Sequence, residues 1–329
     1  MSNPEPVTRF VSDASADDVV IPFAVTPLDV RGRLVRLGPA LDILLGNHGY
    51  PADVARAVGE AAALTALLGA ALKFEGRFQL QTRTDGVIDM LVVDFDAPDR
   101  LRAFARFDAQ RLEASRTACE ATPASLLGKG HLAFTIDQGA DMSRYQGLVA
   151  LEGQGLEAAA HEYFLRSEQI PTLVRLAVGE VLGAGATGHW RAGGLIVQFL
   201  PDSPERRRMA DLPPGDAPSG AQADTFREDD VWLEARALAA TVEDHELVDP
   251  NLSSDRLLYR LFHERGVTVF EPTALRHACR CSRDGIQTML KGFTKDERRD
   301  MVGDDGRIGV TCEFCGVKRD FDPSEVESD

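Results

Sequence analysis

The chain has 329 residues, 44% of them hydrophobic, so it can bury a sizeable core and is not a disordered polypeptide. Its 36 basic and 52 acidic residues leave a net charge of -16, which repels phosphate backbones and anionic membranes and excludes nucleic-acid or membrane binding as a global property. No apolar run reaches the length of a membrane span. Met1-Ser2-Asn3-Pro4-Glu5-Pro6 has neither the basic nor the apolar stretch of a secretory signal, so a reducing cytoplasm is the expected compartment.

Residues 1–15 are polar and Pro-bearing and read as a flexible tail. Val19 to Val35 has a β pattern, and Pro51 and Asp53 open a long, nearly all-apolar helix expected to run to about Phe74. Phe78 to Thr82 and Val87 to Phe95 flank Thr84-Asp85-Gly86, a hairpin signal. His131 to Ile136, Tyr145 to Leu151 and Gly193 to Leu200 read as further strands, and Leu156 to Glu168 has helical spacing. Strands and helices are interspersed over 16–201, which predicts one α/β or α+β domain.

Composition then changes. Residues 202–225 hold Pro204, Pro213, Pro214 and Pro218 with Gly215 and Gly220, and read as a flexible segment that cannot pack a core. Residues 226–266 turn helical. Val231, Ala235, Leu238 and Val242 form one stripe, and Ser254 is placed to cap a second helix with Leu257, Leu258, Leu261 and Phe262 on its apolar side. Residues 267–329 form a separate small unit. It has a strand at Val267 to Phe270, a helix over Ser282 to Phe293, a capping box at Thr294 and Glu297, and a hairpin of Arg307 to Thr311 with Val317 to Phe321.

This last unit holds four of the five cysteines, as Cys279-Arg280-Cys281 and, 30 residues on, Cys312-Glu313-Phe314-Cys315. Cys-Xaa-Cys puts two sulfurs on one edge of an extended segment. Cys-Xaa-Xaa-Cys turns both sulfurs to one side, and Gly316 lets the backbone fold back beneath them. Four thiolates so spaced suit one tetrahedral zinc ion. An iron–sulfur cluster or four unligated thiols are the alternatives. A unit this short could hardly fold on its own core, and zinc can supply about 10–16 kcal/mol of apparent binding energy.

His277 is placed to compete as a ligand, whereas His263 reads as a helix-surface residue and Cys119 as a small buried or half-buried one. Asp94 and Asp96 read as a solvated strand end, and Gly128-Lys129-Gly130-His131 as a turn before a strand. No phosphate loop or nucleophile elbow occurs, so an enzyme is not expected. Two rival classes are a thiol–disulfide oxidoreductase using Cys312 and Cys315, and a zinc-ribbon interaction module using Arg298-Arg299 and Lys318-Arg319.

Together with the cysteine pairs, Arg144-Tyr145-Gln146-Gly147, Tyr163 to Thr172 and Ala192-Gly193-Gly194 give the chain, from about Val19 to Val326, a close resemblance to the heat shock protein 33 family of redox-regulated holdase chaperones. The resemblance implies an α+β protein with an N-terminal α/β chaperone domain, a metastable helical linker and a small C-terminal zinc domain. It implies one zinc ion on Cys279, Cys281, Cys312 and Cys315 in the reduced state, unfolded or aggregation-prone proteins as clients under oxidative stress, and a homodimer as an arrangement open to the oxidised form. Some members carry a further cysteine soon after the first pair; this chain has Ile286 in that neighbourhood. Four cysteines allow three disulfide pairings. Cys279–Cys281 with Cys312–Cys315 is the expected one, because only local bridges leave the intervening span untied.

Overall fold

In the computed structural model, the described residues are 17–72, 76–139, 144–182, 188–200 and 229–326. The tail at 1–15, the segment 202–225, Phe74 and Phe226 lie outside them.

The alternation in the first third of the chain becomes two antiparallel pairs. β1 (Val19–Val25) pairs β2 (Val30–Leu37), and β3 (Arg77–Thr84) pairs β4 (Ile88–Asp96) across the expected turn. Between them lie α1 (Pro39–Gly46) and α2 (Ala52–Gly69). β5 (Arg100–Phe107), α3 (Ala109–Thr117), α4 (Pro123–Leu127), β6 (Lys129–Asp137), β7 (Tyr145–Glu152), α5 (Leu156–Tyr163), β8 (Thr172–Leu182) and β9 (Gly188–Phe199) follow. Next come α6 (Asp230–Ala240), α7 (Asp244–Val248) and α8 (Ser254–Phe262), then the two-residue strands β10 (Thr268–Val269), β11 (Thr273–Ala274) and β12 (Arg276–His277). The chain closes with α9 (Arg283–Lys291), α10 (Lys295–Asp300), β13 (Ile308–Thr311) and β14 (Lys318–Phe321).

One sheet has the order β10-β1-β2-β9-β8, with β11 also on β1; the other has the order β12-β5-β4-β3-β6-β7. The apolar helix α2 lies between them, and Val58, Leu64 and Leu67 are fully buried among residues of both sheets. Small residues on α2 let the sheets close in: a Cβ on Gly69 would stand 2.5 Å from the Phe95 ring. The helix ends there rather than near Phe74, with Ala70 donating to the Ala66 and Leu68 carbonyls.

The outer face of the first sheet is covered by α6 and α8, where Phe23, Leu34, Leu195 and Val197 meet Trp232, Ala235, Leu258 and Phe262. Two buried arginines fasten this cover. Arg36 donates to the carbonyls of Asp249 (2.6 Å) and Glu246 (2.9 Å), and Arg191 to that of Val248 (2.7 Å) while pairing with Asp17. They serve the carbonyls that a helix leaves unpaired at its C-terminal end. Burial, and then the neighbouring Arg191 charge, pull the Arg36 guanidinium down to about 10.

Several elements differ from expectation. Ser253, not Ser254, caps α8, its hydroxyl accepting from the Arg256 N–H, while Ser254 is buried in the first turn. The helix after Leu156 is α only to Tyr163. A π turn over Phe164–Glu168 follows and places Glu168 2.6 Å from the Tyr163 hydroxyl. Cys119 is exposed rather than buried, because α3 ends there in a left-handed turn with φ 57°. Gly128 does turn the chain into β6, and Thr294 and Glu297 do form a capping box.

Candidate metal centre

The two cysteine pairs reach one place by different routes. β12 adds to the edge of β5 in parallel, Arg276 beside Arg100 and His277 beside Leu101, and so delivers Cys279 and Cys281 to the end of the second sheet. β13 and β14 pair Thr311 with Lys318, and the knuckle between them is closed by Gly316 N–H to Cys312 O (2.8 Å) and Cys312 N–H to Val317 O (3.1 Å). Gly316 has φ 65°, and a Cβ there would lie 2.5 Å from the Asn47 carbonyl oxygen, so the residue satisfies both a left-handed backbone and a close approach to the end of α1.

The four Sγ atoms lie within 4.8 Å of one another. Cys279 is 3.7 Å from Cys312 and Cys281 is 3.4 Å from Cys315, so these contacts run across the two pairs. Tetrahedral sulfur ligands at about 2.3 Å from an ion stand about 3.8 Å apart, and the cluster fits that size. Without a cation the thiols perturb one another. Burial, then hydrogen bonding with Cys315, pushes Cys281 up to about 12, and burial also raises Cys315. At Cys279 burial is outweighed by hydrogen bonds from the Cys281 backbone and its neighbouring thiols, and the net direction is down. Such a set would ionise together only around a positive charge. Arg319 supplies one, 3.4 Å from Cys281 Sγ.

The residues between the cysteines attach the centre to the second sheet. Arg280 pairs with Asp94 (2.8 Å) and Asp96 (3.0 Å). The Asp94 carboxylate is fully buried and also accepts from Arg102 and from Gln79 (2.7 Å). Arg102 in turn lies 3.9 Å above the Phe314 ring, which packs near Phe104, and His48 Nε2 is 3.2 Å from the Phe314 carbonyl. Asp94 and Asp96 are therefore not a solvated strand end: three arginines, Arg77 included, neutralise them beneath the cysteine unit. The unit has little core of its own, with Leu290, Ile308, Phe321 and Val326 as its buried cluster.

The structure thus brings together Cys279, Cys281, Cys312 and Cys315 and does not bring His277 into that group. His263 sits on the surface at the end of α8. Sequence reasoning missed Arg280, Arg102, Phe314 and His48. The one signal for them is an acidic pair inside the apolar run Leu91-Val92-Val93-Asp94-Phe95-Asp96, which calls for a cation once the strand end is buried.

Two six-stranded sheets around a buried helix, with four convergent cysteines on a sheet edge, define a mixed α+β protein with a potential metal centre. The family model described as Hsp33 protein matches residues 18–322, and the chain belongs to that family of chaperones. It is 43% identical over 309 residues to the 33 kDa chaperonin of Caulobacter vibrioides, covering 93% of this chain and 95% of that one. It is 31% identical over 299 residues to the 33 kDa chaperonin of Photobacterium profundum, covering 91% and 90%. The crystal structure of the heat shock protein 33 homolog from Thermotoga maritima superposes with a TM-score of 0.71 at 19% identity, covering 94% of this chain and 96% of that one, and shares the fold. The relatives are named as chaperonins, a non-enzymatic class, in keeping with a sequence that offers no catalytic motif. Among the described residues no helix is long and apolar enough to cross a membrane.

Proposed function

We propose that the protein is a redox-regulated, ATP-independent holdase of the cytoplasm, held inactive by zinc on Cys279, Cys281, Cys312 and Cys315. The observation that carries this reading is the convergence of four thiols within 4.8 Å in a unit whose own buried cluster is four side chains. Bound there, zinc would hold the four thiols as thiolates and tie the 279/281 segment to the 312/315 knuckle.

The chain's own groups supply the rest. A peroxide oxidises one thiolate to a sulfenic acid, releasing water or hydroxide, and a second thiol condenses with it to form the disulfide and release water. Bridges Cys279–Cys281 and Cys312–Cys315 each close only a tiny loop and leave the span between them free. With the tie lost, the C-terminal unit unfolds and residues 229–266, docked on the first sheet, lose their support. The apolar face of Phe23, Leu34, Leu195 and Val197 then opens to unfolding clients. The sulfur contacts noted above run across the pairs, but the sulfurs of each local pair also lie within 4.8 Å of one another, within reach of a small rearrangement.

The test is to map disulfides by mass spectrometry and to follow aggregation of a heat-denatured client with reduced and oxidised protein. Local bridges and suppression by the oxidised form alone are expected. Long-range bridges only, or equal activity of the zinc-bound form, would overturn the reading.

A further inference from the structure

The short stretch from Thr268 to Ala278, just before the first cysteine, does something its length would not suggest: it closes an edge of both six-stranded sheets. On β1, Val269 pairs Phe23 and Ala274 pairs Val19, with Phe270 N–H donating to the Pro22 carbonyl (2.9 Å) and Leu275 N–H to that of Asp18 (2.6 Å). On β5, Arg276 N–H donates to the Asp99 carbonyl (2.9 Å) and Ala278 N–H to that of Leu101 (3.0 Å). Its hydrogen bonds are mostly main chain to main chain, supplemented by the ion pair of Arg276 with Asp99 (2.8 Å) and by the buried side chain of Leu275.

The other two edges are different. On β8, the Val174 N–H donates to His161 Nε2 (2.7 Å) and the Leu176 N–H to Glu157 Oε1 (2.5 Å), so α5, within the same region of chain, blocks that edge. β7 is already the last strand of its sheet and cannot account for a gain on oxidation. The edges of β1 and β5 are thus the ones whose cover is continuous with the cysteine unit. Exposed strand edges template the addition of another chain.

We propose that the outer edges of β1 and β5 are client-binding surfaces, and that an extended segment of unfolded polypeptide adds to them as a strand in place of residues 268–278. The inference rests on the holdase reading and specifies how the client is held. The occupant follows from the present one: an extended, irregular stretch bonded through its backbone, a mode that places few demands on sequence and suits a protein that must accept many clients. Strand alternation places the main-chain groups of Val20 and Ala24 on the β1 edge, and those of Leu101 and Ala103 on the β5 edge. Pro22 offers only its carbonyl to the β1 edge, and the Ala105 N–H on the β5 edge is already taken by the Tyr50 hydroxyl at 2.9 Å, so each binding edge is short. Short edges favour reversible capture over aggregation.

Residue-resolved amide exchange on the full-length oxidised protein, with and without a reduced, carboxymethylated and permanently unfolded protein as probe, tests this. Oxidation should speed exchange at Val20, Ala24 and Leu101, which the stretch 268–278 covers, and the probe should slow exchange at these and at Ala103 at least about tenfold. Ala24→Pro, which removes one outward donor, should weaken probe binding by about three- to tenfold with zinc content unchanged. Probe bound with exchange at these four amides unaltered would overturn the edge assignment while leaving the holdase reading in place. Failure of the oxidised protein to bind the probe at all would overturn both.

Discussion

Arg280 and Arg102 meet at a single oxygen, Oδ2 of Asp94, each with a nitrogen within 2.8 Å of it. One arginine comes from between the first two cysteines, and the other lies on β5 beneath the Phe314 ring, between the second two. A fully buried carboxylate therefore anchors both halves of the thiol cluster to the second sheet.

Removing either partner should loosen the cysteine unit without removing its metal. Arg280 is a third exposed, so Arg280→Met is expected to cost only about 1–2 kcal/mol after solvent screening. Asp94→Asn leaves Arg102 without its charge partner and Arg280 with Asp96 alone, at about 3–5 kcal/mol. Limited proteolysis should cut within 267–278 several-fold faster in Arg280→Met, with zinc still bound by elemental analysis; parallel loss of zinc would count against a purely mechanical link.

Zinc itself should be present at about one per reduced chain. Cys312→Ser or Cys279→Ser should cut occupancy sharply, and Cys119→Ser, on an exposed turn, should not. Chelation of the reduced protein should melt α9, α10 and the β13–β14 hairpin while α2 stays protected, because their shared buried cluster is four residues. Full zinc in Cys312→Ser would sink the ligand assignment.

Glu60 gives a pH signature. Burial, and then the charges of Glu157 and Asp244, push its carboxyl up to about 8 from an ordinary 4.5. A carboxyl whose folded pKa is raised costs nothing below its unfolded value and costs progressively more as pH climbs to its folded one. Stability attributable to Glu60 should thus fall between about pH 4.5 and 8. Glu60→Gln should remove that slope and be more stable than the parent by on the order of 4 kcal/mol at pH 8.5, and by less than about 1 kcal/mol at pH 5. Urea unfolding of both proteins at the two pH values checks this; equal differences at both would refute it.

Gly316→Ala combines a left-handed backbone with a Cβ 2.5 Å from the Asn47 carbonyl oxygen. It is expected to cost about 1–2 kcal/mol in backbone strain alone and to lift the knuckle from the end of α1. The reduced variant should show faster amide exchange at Cys312 and Val317, whereas unchanged exchange would mean the contact relaxes elsewhere.

The parts legible in the sequence are those written in local pattern. The β3–β4 hairpin announces itself by Asp85-Gly86, α2 by Pro51 and Asp53 at its start and its largely apolar content, and the thiol cluster by spacing alone. β5 is not legible because Arg100-Leu101-Arg102-Ala103-Phe104-Ala105-Arg106 looks like a charged surface until Arg102 finds Asp94 and Phe314 and Arg106 finds Asp89. The pairing of Arg280 with Asp94 spans 186 residues and leaves no local trace. Strands of two residues, such as β12, exist only because a sheet edge is there to receive them.

Between β11, on one sheet, and β12, on the other, stands a single residue, Leu275, buried in the core the two sheets share. That stretch therefore works as a gauge of the gap between the sheets, with no slack in it. Adding or deleting one residue would turn Leu275 to solvent and break the pairing on one side or the other. Chimaeras that transplant the cysteine unit onto another core should tolerate changes of sequence across 268–278 far better than any change of its length.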